Sequence, residues 1–432
     1  MLGGGGFTAQ NKVLPGAYIN FVSAARIGAL LSDRGTAAIP LEFGWGPEKE
    51  VFIVTAQDYQ ERCQEIFGYP ADAPQMWMIR ELFRNLTKGI FYRLNTGAKA
   101  ACDYGQARYS GVRGKDLTLV VSTNVDNSDK FDVRTLLGKK EVDRQTVKAA
   151  AELVDNPYVV FNKEAVLAKT SGMPFTGGTD GEAVTGEDYA QFLGKMESHT
   201  FQILCCPSKD DAVKAVFAEY TRRMRDEAGV KFQTVMYRKA DTDYEGIISV
   251  ENKAAEQEQG LVYWTTGVQA ACAVNKTNEN HVYDGELTVD VDYTQGQLSA
   301  GVQSGKFMFH RVGDDVRVLM DINTLTTFTE EKGEDFSSNQ TVRVLDQIGN
   351  DIASMFNTKY LGIMPNDDAG RVSLWNDIVT YNKELARLRA IEDVEAKEIT
   401  VERGNSKRSV VVNCPVTPIN CMSQLYMTVV VS

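Results

Sequence analysis

The sequence predicts an α+β multidomain chain: an α/β core, an inserted β-rich domain, and extended β-strand arms at both termini. Three observations predict it. The chain has 432 residues, too many for one hydrophobic core. Strand and helix textures alternate after residue 171, which favours a parallel sheet with crossover helices. Residues 102–170 read almost entirely as strands, and strand-like runs near each end have no strand neighbour in sequence. The boundaries that follow are an arm over 1–24, an α/β domain over 25–101, the insert over 102–170, a central α/β domain over 171–334, a carboxyl-terminal core domain over 335–422 and a terminal strand over 423–432.

Pro15-Gly16 is a turn signal, and Tyr18, Ile19, Phe21 and Val22 give the first arm its strand texture. Thr36–Leu41 and Val51–Val54 are short apolar strands separated by Gly44-Trp45-Gly46-Pro47. Thr55 and Asp58 form a capping-box variant for a helix with Tyr59, Cys63, Ile66 and Phe67 on one face, closed by Gly68. A second helix carries Trp77, Ile79, Leu82, Phe83 and Leu86, and Ile90–Leu94 is a strand. In the insert, Leu117, Leu119 and Val121 alternate with polar residues, Phe131, Val133, Leu136 and then Tyr158–Phe161 follow, and a short helix is expected around Val147–Val154. The ends of the insert, near Lys99 and Ser171, are expected to lie close together. Gly172–Gly181, with four glycines and a proline, reads as a linker.

The central region starts with a helix capped by Thr185 and Asp188, then the buried strand Phe201–Cys206. Pro207-Ser208 opens a helix closed by Gly229; Phe232–Tyr237 and Ile247–Val250 are strands; Leu261–Val274 is an apolar helix. Leu287–Val291 and Phe307–Ile322 read as hairpin strands. Two amphipathic helices come next, one bearing Leu345, Ile348, Ile352, Met355 and Phe356, the other Leu374, Ile378, Tyr381, Leu385 and Leu388. The chain closes with the hairpin Glu398–Arg403 and Ser409–Asn413, turning at Gly404-Asn405, and the strand Gln424–Val431.

The formal net charge of −12 argues against general nucleic-acid binding and against attraction to anionic membranes. No stretch approaches the ~18 apolar residues of a membrane-spanning helix, and no secretory signal is evident, so direct membrane insertion is not expected. Seven scattered cysteines fit a reduced, cytoplasmic folding environment, with Cys205-Cys206 ending a buried strand rather than forming a redox pair.

The search for chemistry predicts no catalytic residue, no cofactor and no metal site. His199, His281 and His310 have no metal-ligand spacing, and no phosphate-binding loop or nucleophile elbow is present. At the turn where a dinucleotide site would need glycines, the sequence reads Cys206-Pro207-Ser208-Lys209-Asp210-Asp211. Its carboxylates would repel a phosphate and suit the first turn of a helix. Glu286, Asp290 and Asp292 read as a solvated strand face. An enzyme, hydrolase-like and built on the central α/β region, is the alternative from another class.

Five segments in order resemble the tail sheath family of contractile phages, phage-like bacteriocins and prophages of Gram-positive bacteria. They are Pro15–Phe21, Gly35–Leu41 continuing to Pro47, Gly177–Gly181 followed by Asp188-Tyr189, Asp321–Phe328, and Tyr426–Val431. The resemblance implies a structural subunit that stacks as hexameric rings around a tail tube, contracts to drive the tube through a target envelope, and binds itself, the tube protein, and baseplate and terminator proteins at the ends. It implies a virion tail or phage-like particle assembled in the host cytoplasm, an insert facing outward, and a tube-proximal core domain. It also implies that terminal arms add strands to neighbouring subunits; strand addition is independently a common way to join chains. The expected exchange residues are Tyr18, Ile19 and Phe21 of one arm and Tyr426, Met427, Val429 and Val431 of the other, received by a hairpin carrying Ile399, Val401, Val410 and Val412. Arg371, Lys383, Arg387 and Arg389 are expected to meet an acidic tube surface.

Overall fold

The computed structural model describes residues 31–431. The arm residues Tyr18, Ile19 and Phe21 lie outside the described residues. The chain divides into two compact units. Of the described residues, the larger holds 34–343 and 420–431, and the smaller holds 31–33 and 344–419.

The larger unit is built on a seven-stranded sheet. Its first strands are β1 (Thr36–Leu41), β2 (Val51–Thr55) and β3 (Lys88–Arg93). Between β2 and β3 run helices α1 (Ala56–Phe67) and α2 (Trp77–Phe83). The Thr55–Asp58 capping box forms as the sequence predicts, and Gly68 ends α1 in the left-handed region at φ 77°.

The insert follows as two small sheets. One combines β4 (Ala101–Cys102), β5 (Gly105–Ala107) and β9 (Val159–Phe161); the other combines β6 (Leu117–Thr123), β7 (Phe131–Leu137), β8 (Lys140–Val147) and β10 (Met173–Pro174). The alternating Leu117, Leu119 and Val121 share a core with Val133, Leu137, Tyr158, Val159 and Phe175. The helix expected around Val147–Val154 is only a 3-10 turn at Ala150–Glu152, and β8 occupies a polar stretch whose alternation is too weak to read.

Gly172–Gly181 is not a loose linker. It runs beside the entry strand: Ala101 pairs with Thr176, Thr179 Oγ1 accepts from Ala98 N at 3.0 Å, and Thr179 N donates to Ala98 O at 3.1 Å. A Cβ on Gly181, at φ +83°, would meet Thr96 O at 1.6 Å, so two backbones pass too closely for any side chain. Entry to and exit from the insert are therefore adjacent.

After helix α3 (Gly186–Met196) come β11 (Ile203–Cys206), α4 (Asp211–Arg222), β12 (Gln233–Tyr237), β13 (Ile247–Val250), α5 (Leu261–Ala271), α6 (Gln295–Gln303) and β14 (Lys306–Phe307). The sheet order is β14-β13-β12-β11-β1-β3-β2, parallel throughout except for β2, which runs antiparallel at one edge. Segments on both sides of the insert thus contribute to one sheet. Successive residues alternate faces. Ala37, Ile39, Ile203 and Cys205 pack with α1, α2 and α5, whereas Ala38, Leu204 and Cys206 pack with α3 and α4. Gly267 of α5 lets that helix approach α2 closely, since a Cβ there would lie 2.6 Å from Leu82 O. The Leu287–Val291 stretch expected as a strand makes only an isolated bridge, Val289 to Ala254, although Leu287 and Val289 pack into the core. Beyond β14, strands β15 (Phe309–Val312) and β16 (Asp315–Val318) form a hairpin.

Helix α7 (Asn339–Lys359) begins in the larger unit and continues in the smaller one. Its first turn is held by Asp321, which accepts from Asn339 Nδ2 at 2.9 Å, Gln269 Nε2 at 2.5 Å and Asn278 N at 2.9 Å, and pairs with Arg343 at 3.2 Å. Both charged side chains are 1% exposed. Burial pushes the Asp321 carboxyl up, but Arg343 and the donors outweigh it and hold it below the usual range.

In the smaller unit α8 (Asp368–Arg387) carries buried Leu374, Ile378, Val379, Tyr381 and Leu385. Tyr381 Oη donates to the Asp351 carboxylate of α7 at 2.9 Å, and Lys359 and Tyr360 both reach Asp377. The unit ends in β17 (Thr400–Arg403) and β18 (Val410–Asn413).

Candidate functional site

β17 and β18 form an antiparallel hairpin, and among the described residues their sheet has two strands. Its register pairs Val401 with Val412 and Arg403 with Val410. Gly404 N donates to Ser409 O at 2.9 Å, which makes Glu402–Val411 and Thr400–Asn413 the hydrogen-bonded pairs, two and four residues along. The N–H and C=O groups of Val401 and Arg403 therefore point away from one edge, and those of Val410 and Val412 from the other. A two-stranded hairpin with both edges open is marginal by itself.

One face of this hairpin is anchored. Ile399 precedes β17, is 3% exposed, and accepts at its carbonyl from Trp375 Nε1 of α8 at 2.8 Å. Val401 and Val410 are half-buried; Val411 and Val412 are exposed. Of the four expected acceptor residues, Val401, Val410 and Val412 lie in the hairpin and Ile399 is its root.

The terminal segment belongs to the larger unit. Cys421 N donates to Gln340 Oε1 at 3.0 Å, and Asn420 and Thr341 exchange side-chain bonds near 3.1 Å. Beyond that tether, residues 423–431 join no ladder among the described residues. Leu425 is 85% exposed, Tyr426 88%, Met427 73%, Val429 70% and Val431 90%. With Val430, six apolar side chains in nine residues thus stand uncovered by the described residues, at odds with the ~1.5–3 kcal/mol gained by burying each one.

The four basic candidates divide. Arg371 is largely buried: Nη1 donates to the backbone O and side-chain Oδ1 of Asn366, and Nη2 pairs with Asp368. It fastens the start of α8 and is not a free surface charge. Arg387 is exposed but donates through Nε and Nη2 to Glu384 at 2.9 and 2.6 Å, which holds the Glu384 carboxyl below its usual range. Lys383 and Arg389 are exposed, Arg389 at φ 60° where the helix has ended.

The positions considered for chemistry are occupied by structural contacts. Asp210 accepts from Ala212 N at 2.8 Å, capping α4 where a dinucleotide phosphate would sit. Glu286 is paired with Arg80 at 2.7 Å and Asp290 with Lys253 at 3.5 Å. Cys205 and Cys206 are fully buried on opposite faces of the sheet, and burial pushes the Cys205 thiol up to about 12. Two features escape sequence reasoning. One is the Asp321–Arg343 hub, because an arginine in an amphipathic helix reads as surface. The other is the apolar run Leu361-Gly362-Ile363-Met364-Pro365 joining α7 to α8, which stays exposed and whose only signal is four apolar residues where a polar loop is expected.

Four family profiles match the chain in succession. They are the tail sheath protein Gp18 domain III N-terminal region over residues 34–94, the phage tail sheath protein beta-sandwich domain over 95–180, the phage tail sheath protein central domain over 182–324, and the phage tail sheath C-terminal domain over 331–432. The chain is 30% identical to the phage-like element PBSX protein XkdK of Bacillus subtilis strain 168, with 100% of each chain covered. Among solved structures it resembles a sheath tail protein of Desulfitobacterium hafniense (TM-score 0.80, 33% identity, 94% of this chain and 98% of that one). It also resembles a sheath tail protein of Listeria innocua (TM-score 0.80, 31% identity, 92% and 95% covered).

Proposed function

The chain belongs to the phage tail sheath family, and from that premise we propose that it polymerises by exchanging strands between copies, as stacked hexameric rings around a tail tube. As a family member it is a structural protein of a contractile tail, part of a phage or phage-like particle. Contraction of the rings drives the tube through a target envelope, with baseplate and terminator proteins at the two ends. Assembly takes place in the host cytoplasm. The observation that carries this reading is a hairpin that is two-stranded among the described residues, in a chain whose last described residues, 424–431, are exposed, mostly apolar and joined to no strand ladder. The hairpin of one copy receives the tail of another on one edge and the arm containing Tyr18, Ile19 and Phe21 on the other. Each edge offers two residues' outward N–H and C=O groups, so an added strand makes about four hydrogen bonds at roughly 0.5–1.5 kcal/mol each. Ordering the strand costs about 1–2 kcal/mol per residue, so one joint is near balance and burial of the valines and Met427 tips it. Many joints per ring make a strong lattice from subunits that stay soluble alone. Lys383 and Arg389 are the free charges available to an acidic tube; exposed pairs of about 0–1 kcal/mol suit a contact that contraction must release.

Deletion of residues 423–432, and separately of 1–22, tests this. Each truncated protein keeps its circular dichroism spectrum and forms no tubes by electron microscopy. Normal tubes from either truncation, or a full-length chain that never polymerises, refutes the reading.

A further inference from the structure

A groove of about 470 Å³ opens beside the hairpin, walled by Tyr360, Leu361, Met364, Leu374 and Val410. We propose that this groove is the socket for the apolar face of a second copy's residues 424–431, with Leu425 and Met427 seated in it. The proposal rests on the strand-exchange reading and adds to it: the edge supplies hydrogen bonds that any strand could make, and the groove decides which strand docks and in what register.

Three observations commit the occupant. The groove adjoins β18 and not β17: Lys407, Arg408 and Val410 line it, and no residue of Thr400–Arg403 does. Asn366 of the α7–α8 connection donates to the carbonyls of Lys407 and Ser409 at 3.2 and 2.9 Å, which fixes that wall to the β18 side. A strand added along the outward groups of Val410 and Val412 therefore passes over the groove's mouth.

The second observation is the pattern of the tail. In an extended segment alternate side chains share a face. Leu425, Met427, Val429 and Val431 form one wholly apolar face, and Gln424, Tyr426, Thr428 and Val430 form a mixed one. A slip of one residue would turn Gln424 and Thr428 toward the apolar walls, so the groove penalises every odd register shift.

The third is reciprocal exposure. Leu361 is 60% exposed and Met364 43%, while Leu425 and Met427 are 85% and 73% exposed. Among the described residues these two apolar surfaces each lack a cover, and in a homopolymer each is available to the other. The long, flexible Leu and Met side chains suit an open, irregular groove, and the shorter valines suit the flat ladder.

Charge-swap rescue in the full-length chain tests the socket, with polymerisation followed by sedimentation and electron microscopy. Met364→Glu is expected to raise the critical concentration for assembly at least tenfold with an unchanged circular dichroism spectrum. Met427→Lys alone is expected to do the same, and the double variant to return to within about threefold of the parent. Leu361→Glu, at the more exposed position, replaces Met364→Glu if the latter misfolds. Val412→Pro serves as the control on the underlying reading, since it blocks the edge itself. If Met364→Glu and Leu361→Glu assemble as the parent does while Val412→Pro fails, the socket is wrong and strand exchange stands. If the groove variants lose assembly but Met427→Lys gives no rescue, another segment fills the groove and the assignment is overturned. If Val412→Pro assembles normally, strand exchange on this edge falls and the socket with it.

Discussion

β13 reads Ile-Ile-Ser-Val and β18 reads Val-Val-Val-Asn, and their compositions hardly differ. All four residues of β13 are buried, with a parallel neighbour on each side and helices over the sheet. β18 has one neighbour and three of its four residues are exposed. In the first strand, apolar character is consumed inside the chain. In the second it is left over, as it is in residues 425–431. Under the proposed strand exchange, a β-strand left unpaired by the described residues of one copy is completed by a second copy and serves as a joint.

Substitutions should separate the two regions by what they change. The largest effect on stability is expected from Arg343→Ala, which strands the Asp321 carboxylate in a fully buried site. A loss of about 3–5 kcal/mol from the larger unit, measured by urea denaturation, is predicted. Ile248→Ala in β13 removes a fully buried side chain and should cost about 2–5 kcal/mol by the same measurement. At the hairpin the pattern inverts. Val412→Ala should leave the unfolding free energy within about 0.5 kcal/mol of the parent and yet weaken assembly, because Val412 is 39% exposed and lies outside the buried core of a single copy. Val412→Pro should abolish tubes, since the N–H it removes faces outward and belongs to no bond within the hairpin. A large stability loss from Val412→Ala would break the comparison.

The smallest expected effect lies in the insert. Asp132 accepts from Thr146, Arg144 and Asn124, which lowers its carboxyl from the ordinary 3.8 to about 2. A depressed folded value means that its stabilisation is complete above pH ~4 and is lost as the pH falls toward 2. Carboxyl NMR titration should give a midpoint near 2, moving upward in Thr146→Val. An ordinary midpoint in the parent would contradict the network.

Local signals in the sequence were legible where a few adjacent residues decide the outcome. The capping boxes at Thr55–Asp58 and Thr185–Asp188 both form, and the buried strand ending at Cys205-Cys206 lies where its composition puts it. The hairpin itself was legible for the same reason. Features set by distant partners were not. The pairing of β1 with β11 joins residues more than a hundred positions apart, across the insert, and no periodicity encodes it. Helix α6 buries only Leu298 and Gly301, too little to leave a pattern. Gly172–Gly181 has a linker's composition, but its glycines serve a close backbone crossing with Thr96–Ala98. The setting of Arg371 is not legible, because sequence gives its helix face without showing the Asn366 loop that folds back to meet it.

The central claim is that the hairpin is completed by other copies. A cryo-electron microscopy structure of tubes assembled from the full-length chain tests it most directly. The account predicts that Val410 and Val412 hydrogen-bond through their outward backbone groups to residues 424–431 of a neighbouring copy, with the β17–β18 sheet grown beyond two strands. A hairpin still two-stranded in the assembled tube, or a tail folded onto its own chain, would contradict it.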